Sequence, residues 1–296
     1  MHPIVMNLQN RLEYILFIGL SYFTKLLGLK LSRTFAKGLA CVFYFIIPIR
    51  KEVAIKNLKM AFPDYSEKKI RKIAIETYKS FAITLIETLY IPHIGKSEMI
   101  NLLRCINLDL ISRKIKEKKG IIILTAHFGN WEYLAASLAL QLDFPMYLLI
   151  KVQRNPYVTA FMDRARTKWS NIVIPLGTSV RQIFKALNEN QMVLMAADQR
   201  GNVEGIRIKF LGIMSAVYSG PAVFALKTGA DIVISISVRQ PDYSYKVEFM
   251  ELSFDDIPGN NDAKVEEICR RYLNFLEDLI RQYPEQWLWM HKRWKH

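Results

Sequence analysis

The sequence predicts an α/β fold: a mixed, mostly parallel sheet flanked by helices, preceded by an N-terminal helical segment suited to a membrane surface. Three observations carry that expectation. From Ile121 onward, short apolar runs rich in β-branched residues alternate with helix-length segments, the pattern of a parallel sheet covered by helices. The first of these runs, Ile121 to Leu124, breaks into a polar turn before a Leu/Ala-rich segment resumes, and α/β proteins mount chemistry on such turns. Finally, the first fifty residues hold two oily stretches set among lysines and arginines, as an interfacial helix requires.

Taken in order, the oily stretches are Tyr14 to Leu29, interrupted by Lys25, and Gly38 to Ile49, bounded by Lys37 and Arg50. A spanning helix needs about 20 apolar residues, and neither stretch reaches that length without a charge. The expectation is a pair of amphipathic or shallowly inserted helices on one leaflet, with a single tilted span as the alternative. No small-residue cleavage pattern follows the first run, so export is not expected. Residues 1–50 thus form a membrane-associating segment and 51–296 an α/β domain.

Val53 to Phe62 reads as a short helix stopped by Pro63. Ser66 caps a longer one reaching Tyr90, whose apolar stripe includes Ile70, Ile73, Ile75, Tyr78, Phe81, Leu85 and Leu89 and reads as core packing. Strands are expected at 121–125, 145–152, 171–174, 192–197, 230–239 and 245–252, and helices at 131–142, 156–168, 179–190, 219–228 and 261–282. The last two strands lack an intervening helix, so they pair antiparallel.

Composition narrows the partners. The chain has 296 residues, of which 51% are apolar, and a net charge of +14. A protein both oily and basic meets either nucleic acid or an anionic membrane and its lipids. The first sixty residues hold nine basic residues against two acidic ones, so half of the excess charge lies in the most apolar part of the chain. That placement favours lipid, and nucleic acid is not expected as a partner. Cys41, Cys105 and Cys269 have neither disulfide nor metal spacing and read as small apolar residues in a reducing compartment.

The turn carries the principal candidates. His127 and Glu132 are five residues apart, about 500° along a helix, and would diverge if one helix carried both. They meet only if His127 ends the strand and Glu132 opens the helix; the carboxylate then accepts the imidazole N–H and leaves the other nitrogen as a base. The competing reading is a capping histidine beside a solvent-facing glutamate. Further polar groups follow other strands. Lys151, Arg154 and Asn155, with Arg164 and Arg166 on the next helix, suit a phosphate or acidic headgroup, or else a solvated basic face. Asp198, closing an apolar strand ahead of Gln199 and Arg200, is costly to bury unless paired or used. Arg207 to Gly212, which includes Lys209, reads as a loop. The tryptophans of Trp287 to Lys295 read as an interfacial belt or as a helix packed on the body, and His291 there is a second candidate base. Serine-elbow, phosphate-loop, dinucleotide and zinc-helix motifs are absent. A histidine base without a protein nucleophile suits direct transfer to a substrate hydroxyl.

His127-Phe-Gly-Asn-Trp-Glu132 resembles the His-x4-Asp/Glu motif of the glycerolipid acyltransferase superfamily. It is most similar to that of the lipid A late (secondary) acyltransferases. The likeness extends through Asn57-Leu58, Ala61-Phe62-Pro63, Arg154-Asn155-Pro156, Arg166, Ala197-Asp198-Gln199, Phe210-Leu211-Gly212, Pro284-Glu285-Gln286-Trp287 and Trp289-x-His291. It implies a glycerolipid acyltransferase-like fold at the cytoplasmic face of a bacterial inner membrane. The implied reaction moves a fatty acyl chain from acyl carrier protein, or less readily coenzyme A, to a hydroxyl of a lipid A precursor. His127 would be the base, Glu132 its orienter, and Arg166 and Asp198 supporting catalytic residues. Asn130, Lys151, Arg154, Asn155, Arg164, Gln199, Arg200, Lys209 and His291 would face substrate. No metal or other cofactor is implied, because the thioester supplies its own leaving group. The tetrahedral intermediate would take its hydrogen bonds from the amides near Gly129 and Asn130 or from an arginine. A lysophospholipid, an amino lipid or a phosphatidylinositol-mannoside-like glycolipid remains an alternative acceptor, and a non-catalytic anionic-lipid binder is the reading from another class.

Overall fold

The computed structural model describes residues 3–177 and 180–295, with the side chains of 3–6 left aside. A seven-stranded sheet in the order β1-β9-β8-β2-β5-β3-β4 forms the body. Its strands are β1 (Leu103–Ile106), β2 (Ile121–Thr125), β3 (Met146–Ile150), β4 (Ile172–Pro175), β5 (Met192–Ala196), β8 (Asp231–Arg239) and β9 (Tyr245–Glu251). β2 pairs in parallel with both β5 and β8, and every residue of β2 is buried, as an unbroken Ile/Leu run demands in a strand covered on both faces. β8 and β9 form the expected antiparallel pair.

The helices are α1 (Pro3–Cys41), α2 (Lys51–Ala61), α3 (Glu67–Tyr90), α4 (Lys96–Leu102), α5 (Leu108–Lys116), α6 (Trp131–Leu142), α7 (Pro156–Arg166), α8 (Val180–Asn188), α9 (Gly220–Thr228) and α10 (Asn261–Gln282). The expected elements all occur, with ends within a few residues. The expected start of α8 at Ser179 lies outside the described residues. Several short stretches differ from expectation, among them the added helix Lys96–Leu102. Leu103–Ile106 adds an edge strand and Leu108–Lys116 a helix. Arg207–Gly212 is not a loop, because Arg207–Phe210 (β6) and Ile213–Ala216 (β7) form a separate antiparallel hairpin. Its tip, Leu211 and Gly212, has φ of 51° and 82°, the left-handed pair that a two-residue hairpin turn needs.

The N-terminal segment turns sharply at Gly28, with φ 70° and ψ 166°, a backbone that glycine adopts without the cost of a Cβ. The helices before and after it therefore pack on each other: the Phe23 and Phe35 rings meet at 5.3 Å and Ser32 Oγ donates to the Thr24 carbonyl at 3.1 Å. A π-turn, Val42–Ile46, continues the second helix. The span Asn7–Ile46 is long and apolar enough to cross a membrane, and 17% of its most apolar window is buried against the protein. Leu16 and Leu26 are 75% and 84% exposed. The opposite side is fastened to the body. Ser21 Oγ donates to the Leu89 carbonyl, and Arg33 Nε reaches Glu87 Oε1 at 2.7 Å. Within the α3 stripe, Leu85 points outward while Glu87 is wholly buried, so that helix also carries a charge into the core.

Candidate active site

Strand register builds the site. Thr125 of β2 lies beside Ala196 of β5, and the Ala197 amide extends the ladder to the Thr125 carbonyl at 3.1 Å. Two residues past each strand stand His127 and Asp198, so parallel pairing alone brings them side by side at the carboxyl ends of adjacent strands. Open α/β sheets place their sites in this position. His127 Nδ1 lies 2.8 Å from Asp198 Oδ1, and Asp198 Oδ2 accepts the Trp287 indole N–H at 3.0 Å. The Asp198 side chain is 2% exposed and that of His127 25%. The Trp131 ring meets the imidazole edge-on at 5.0 Å, and Gln199 Nε2 lies 3.3 and 3.4 Å from its two nitrogens.

The partner of the imidazole is therefore Asp198, a correction to the pairing expected with Glu132. Glu132 does open α6, but both of its oxygens are taken by Arg166, from Nε at 2.9 Å and Nη2 at 2.6 Å. This bidentate pair is nearly buried, with 12% and 10% of the two side chains exposed. It fixes α7 against α6, and Arg166 also reaches Asp163. Glu132 still acts on His127 through its charge. Burial opposes a charged imidazole, yet the charge and hydrogen bond of Asp198, with the charge of Glu132, hold the His127 pKa above the ordinary histidine value. Burial would likewise raise Asp198, but the imidazolium and the Trp287 N–H hold it below the usual carboxylate value.

The turn is clamped by the C-terminal segment. Residues 286–288 lie antiparallel to 127–129: Gly129 N donates to Gln286 O at 3.0 Å and Leu288 N to His127 O at 3.1 Å. Gly129 has φ +55°, and a Cβ there would sit 2.0 Å from the Ser237 carbonyl oxygen, so this position requires glycine. The Asn130 amide donates to Ser237 Oγ. Both turn amides expected to serve the oxyanion are thus already bonded within the protein. Asn130 itself is buried; its Oδ1 caps α6 at Tyr133 N and its Nδ2 donates to Glu87 Oε2 at 2.9 Å.

Glu87 is the centre of a network that the sequence did not reveal. Besides Arg33 and Asn130, it takes the Tyr245 hydroxyl, and Arg239 joins through Tyr245, Ser80 and Thr84. Thr84 in turn donates to the Gly129 carbonyl at 2.6 Å. The network ties α1, α3, β8 and β9 to the back of the turn. A lone glutamate inside an apolar helical stripe was its one sequence signal.

The other expected residues divide. Gln199 stands at the imidazole. His291 is half-buried, with Nδ1 unpartnered among the described residues; burial holds its pKa down, and Asp198 and His127 both act on it. Asn155, by contrast, is buried and caps α7 while its Nδ2 donates to the Asn10 carbonyl and Glu13 Oε2. Arg154 also pairs with Glu13, at 2.7 Å, and Arg164 reaches the Tyr14 hydroxyl. These three face α1 instead of the cleft. Arg200 donates to the Lys295 carbonyl, while Lys151 and Lys209 are solvent-exposed. The expected tryptophan belt is also corrected: Trp287, Trp289 and Trp294 are buried at 3%, 0% and 6% exposure, pack on one another and on Phe210, and do so in turns rather than a helix. The cleft beside His127 is walled by Thr77, Phe81, Trp131, Glu285 and Leu288.

His127 is thus bonded to a buried aspartate and, among the described residues, has no serine or cysteine bonded to it, an arrangement that can take a proton from a hydroxyl. Residues 6–296 match the model of the bacterial lipid A biosynthesis acyltransferases. The chain belongs to that family. It is an acyltransferase of lipid A biosynthesis, and its relatives include a lipid A biosynthesis palmitoleoyltransferase of Escherichia coli (strain K12), 26% identical over 83% of this chain and 79% of the relative. A lipid A biosynthesis acyltransferase of Shigella flexneri gives the same figures, 26%, 83% and 79%. A lipid A biosynthesis lauroyltransferase of Escherichia coli (strain K12) is 24% identical over the same shares, 83% and 79%.

Proposed function

We propose that this acyltransferase moves a fatty acyl chain from acyl carrier protein to a hydroxyl of a lipid A precursor at the cytoplasmic face of the inner membrane, with His127 as base and Asp198 as its orienter. The observation that carries the reading is the 2.8 Å bond from His127 Nδ1 to Asp198 Oδ1. With Nδ1–H donated to the carboxylate, Nε2 keeps its lone pair. Nε2 takes the acceptor's proton, the oxygen attacks the thioester carbonyl, and the tetrahedral intermediate collapses by expelling the thiolate. The imidazolium then returns the proton to sulfur, which restores the base. The Gln199 side-chain amide, beside the imidazole, is the donor for the intermediate's oxyanion in this reading, since the turn amides are engaged. Glu132 and Arg166 act from behind, holding α7 on α6 and adding negative charge near the imidazole.

The membrane assignment rests on the exposed apolar side of α1 and the basic residues that follow it. The test is a purified assay with defined acyl carrier protein and coenzyme A thioesters and a tetra-acylated lipid A precursor, read by mass. Addition of one acyl chain, lost in His127→Ala, is the expected result; full activity in His127→Ala overturns the reading. Mass spectrometry of lipid A from a deletion strain decides between this acceptor and a lysophospholipid, amino lipid or other glycolipid.

A further inference from the structure

Arg293 is a buried cation whose partner the described contacts leave unaccounted for. It is 1% exposed, donates from Nη1 to the Ala216 carbonyl at 2.8 Å, and lies over the Phe210 ring at 5.5 Å. Its Nε and Nη2 are buried without a hydrogen-bond partner among the described residues. An uncompensated buried guanidinium is strongly disfavoured, so a compensating charge is needed nearby.

A chain of contacts leads from Arg293 to Asp198. The Ala216 carbonyl that holds Arg293 also accepts Gly201 N at 3.2 Å, three residues after Asp198. The Phe210 ring under the guanidinium meets Trp287 at 5.7 Å, and Trp287 Nε1 bonds Asp198 Oδ2. Burial pulls the Arg293 pKa down to about 10, and the charge of Asp198 is foremost among the groups opposing that fall.

A further problem is solved by the same arrangement. A base must be neutral before it acts, and neutral His127 leaves Asp198 as a buried carboxylate with no cation hydrogen-bonded to it. We propose that Arg293 is the positioning residue that keeps Asp198 ionised while His127 is neutral, balancing the dyad's charge from behind. The inference rests on His127 being the base. The other titratable or charged groups around the dyad are Glu132 on α6, neutralised by Arg166 on α7, Tyr272 on α10, Glu285 and His291 on the C-terminal segment, and Arg200, which is exposed and donates to the Lys295 carbonyl. Tyr272 donates its hydroxyl to the Thr125 carbonyl. None of these supplies a buried permanent positive charge that is not already paired.

The test is the pH dependence of kcat/KM in Arg293→Met and Arg293→Lys, beside His127→Ala. Without the cation, the dyad keeps its proton to higher pH whichever partner carries it. The acidic limb of Arg293→Met therefore moves upward, and a shift of one unit lowers kcat/KM about tenfold on that limb, with recovery at alkaline pH. Arg293→Lys keeps the limb where the unmodified protein has it. If Arg293→Met does not fold, Arg293→Gln, which retains a donor for the Ala216 carbonyl, carries the same test. A limb that stays in place after charge removal overturns the proposal, as does a limb that Lys moves as far as Met. Retained activity in His127→Ala would instead overturn the reading of the base itself.

Discussion

At the scale of single residues, the division of labour between the two acids is what decides behaviour. Asp198→Asn removes the charge that, against burial, holds His127 up, so the acidic limb of kcat/KM moves down, while the plateau falls roughly 10²–10⁴-fold; a pH-rate profile reads both. The stability sign follows from the two shifts. His127, raised in the folded state, contributes below its unfolded value and loses that contribution as pH rises through its folded pKa. Asp198, lowered, contributes above its unfolded value and loses that as pH falls. The melting difference between the native protein and Asp198→Asn is therefore largest between about pH 4 and 6.5 and shrinks on the alkaline side. Glu132→Ala behaves differently, leaving Arg166 in a nearly buried site with only the longer contact to Asp163, at a cost of up to about 3–5 kcal/mol. Adding Arg166→Met recovers much of that in a thermal melt without restoring transfer. The sequence named all four of these residues but set Glu132 against His127, because five-residue spacing limits where those two can sit but says nothing of the arginine that claims the carboxylate from α7.

The pairing that matters is a property of two strands. Ile-Ile-Ile-Leu-Thr-Ala-His at 121–127 and Met-Val-Leu-Met-Ala-Ala-Asp at 192–198 run in step, apolar for four residues, then small or hydroxylated for two, then titratable. Parallel pairing in that register, Ile121 beside Met192, sets histidine against aspartate. Both runs were legible as strands; their adjacency was not, since β3 and β4 intervene in the chain. The same limit explains the tryptophans. Their burial is fixed by pairing between residues 127–129 and 286–288, a contact across half the chain for which local pattern holds no signal. The β6–β7 hairpin was missed for a local reason: its Leu-Gly tip lacks the Asn or Asp that usually marks a left-handed two-residue turn. Gly129 tests the clamp directly. Gly129→Ala combines left-handed strain of about 1–3 kcal/mol with a Cβ driven onto Ser237 O. A lower melting temperature and lost transfer are expected, and an active, fully stable Gly129→Ala would refute the tight approach of turn and β8.

Across the whole molecule, the active-site turn is held between the two ends of the chain. The C-terminal segment lies on its front through Gln286 and Leu288, and α1 reaches its back through Arg33 and Glu87. Asn57 of α2 fastens the C-terminal segment by donating to the Trp289 and His291 carbonyls, both at 2.8 Å. Because α1 is bound along one side and bare along the other, membrane attachment and catalytic integrity are separable by substitution. Leu16→Glu with Leu26→Glu alters only the bare side, where the residues are 75% and 84% exposed. Each leucine removed from a lipid contact forfeits about 1.5–3 kcal/mol, so binding to vesicles containing anionic phospholipid should fall by at least tenfold in cosedimentation, while the melting temperature and the imidazole's pH profile stay unchanged. Glu87→Ala is the complementary change, stranding Arg33 and Arg239 in the core, and should lower stability while leaving the bare side's lipid affinity in the folded fraction intact. Undiminished sedimentation of the double leucine variant would place the membrane contact elsewhere on the protein.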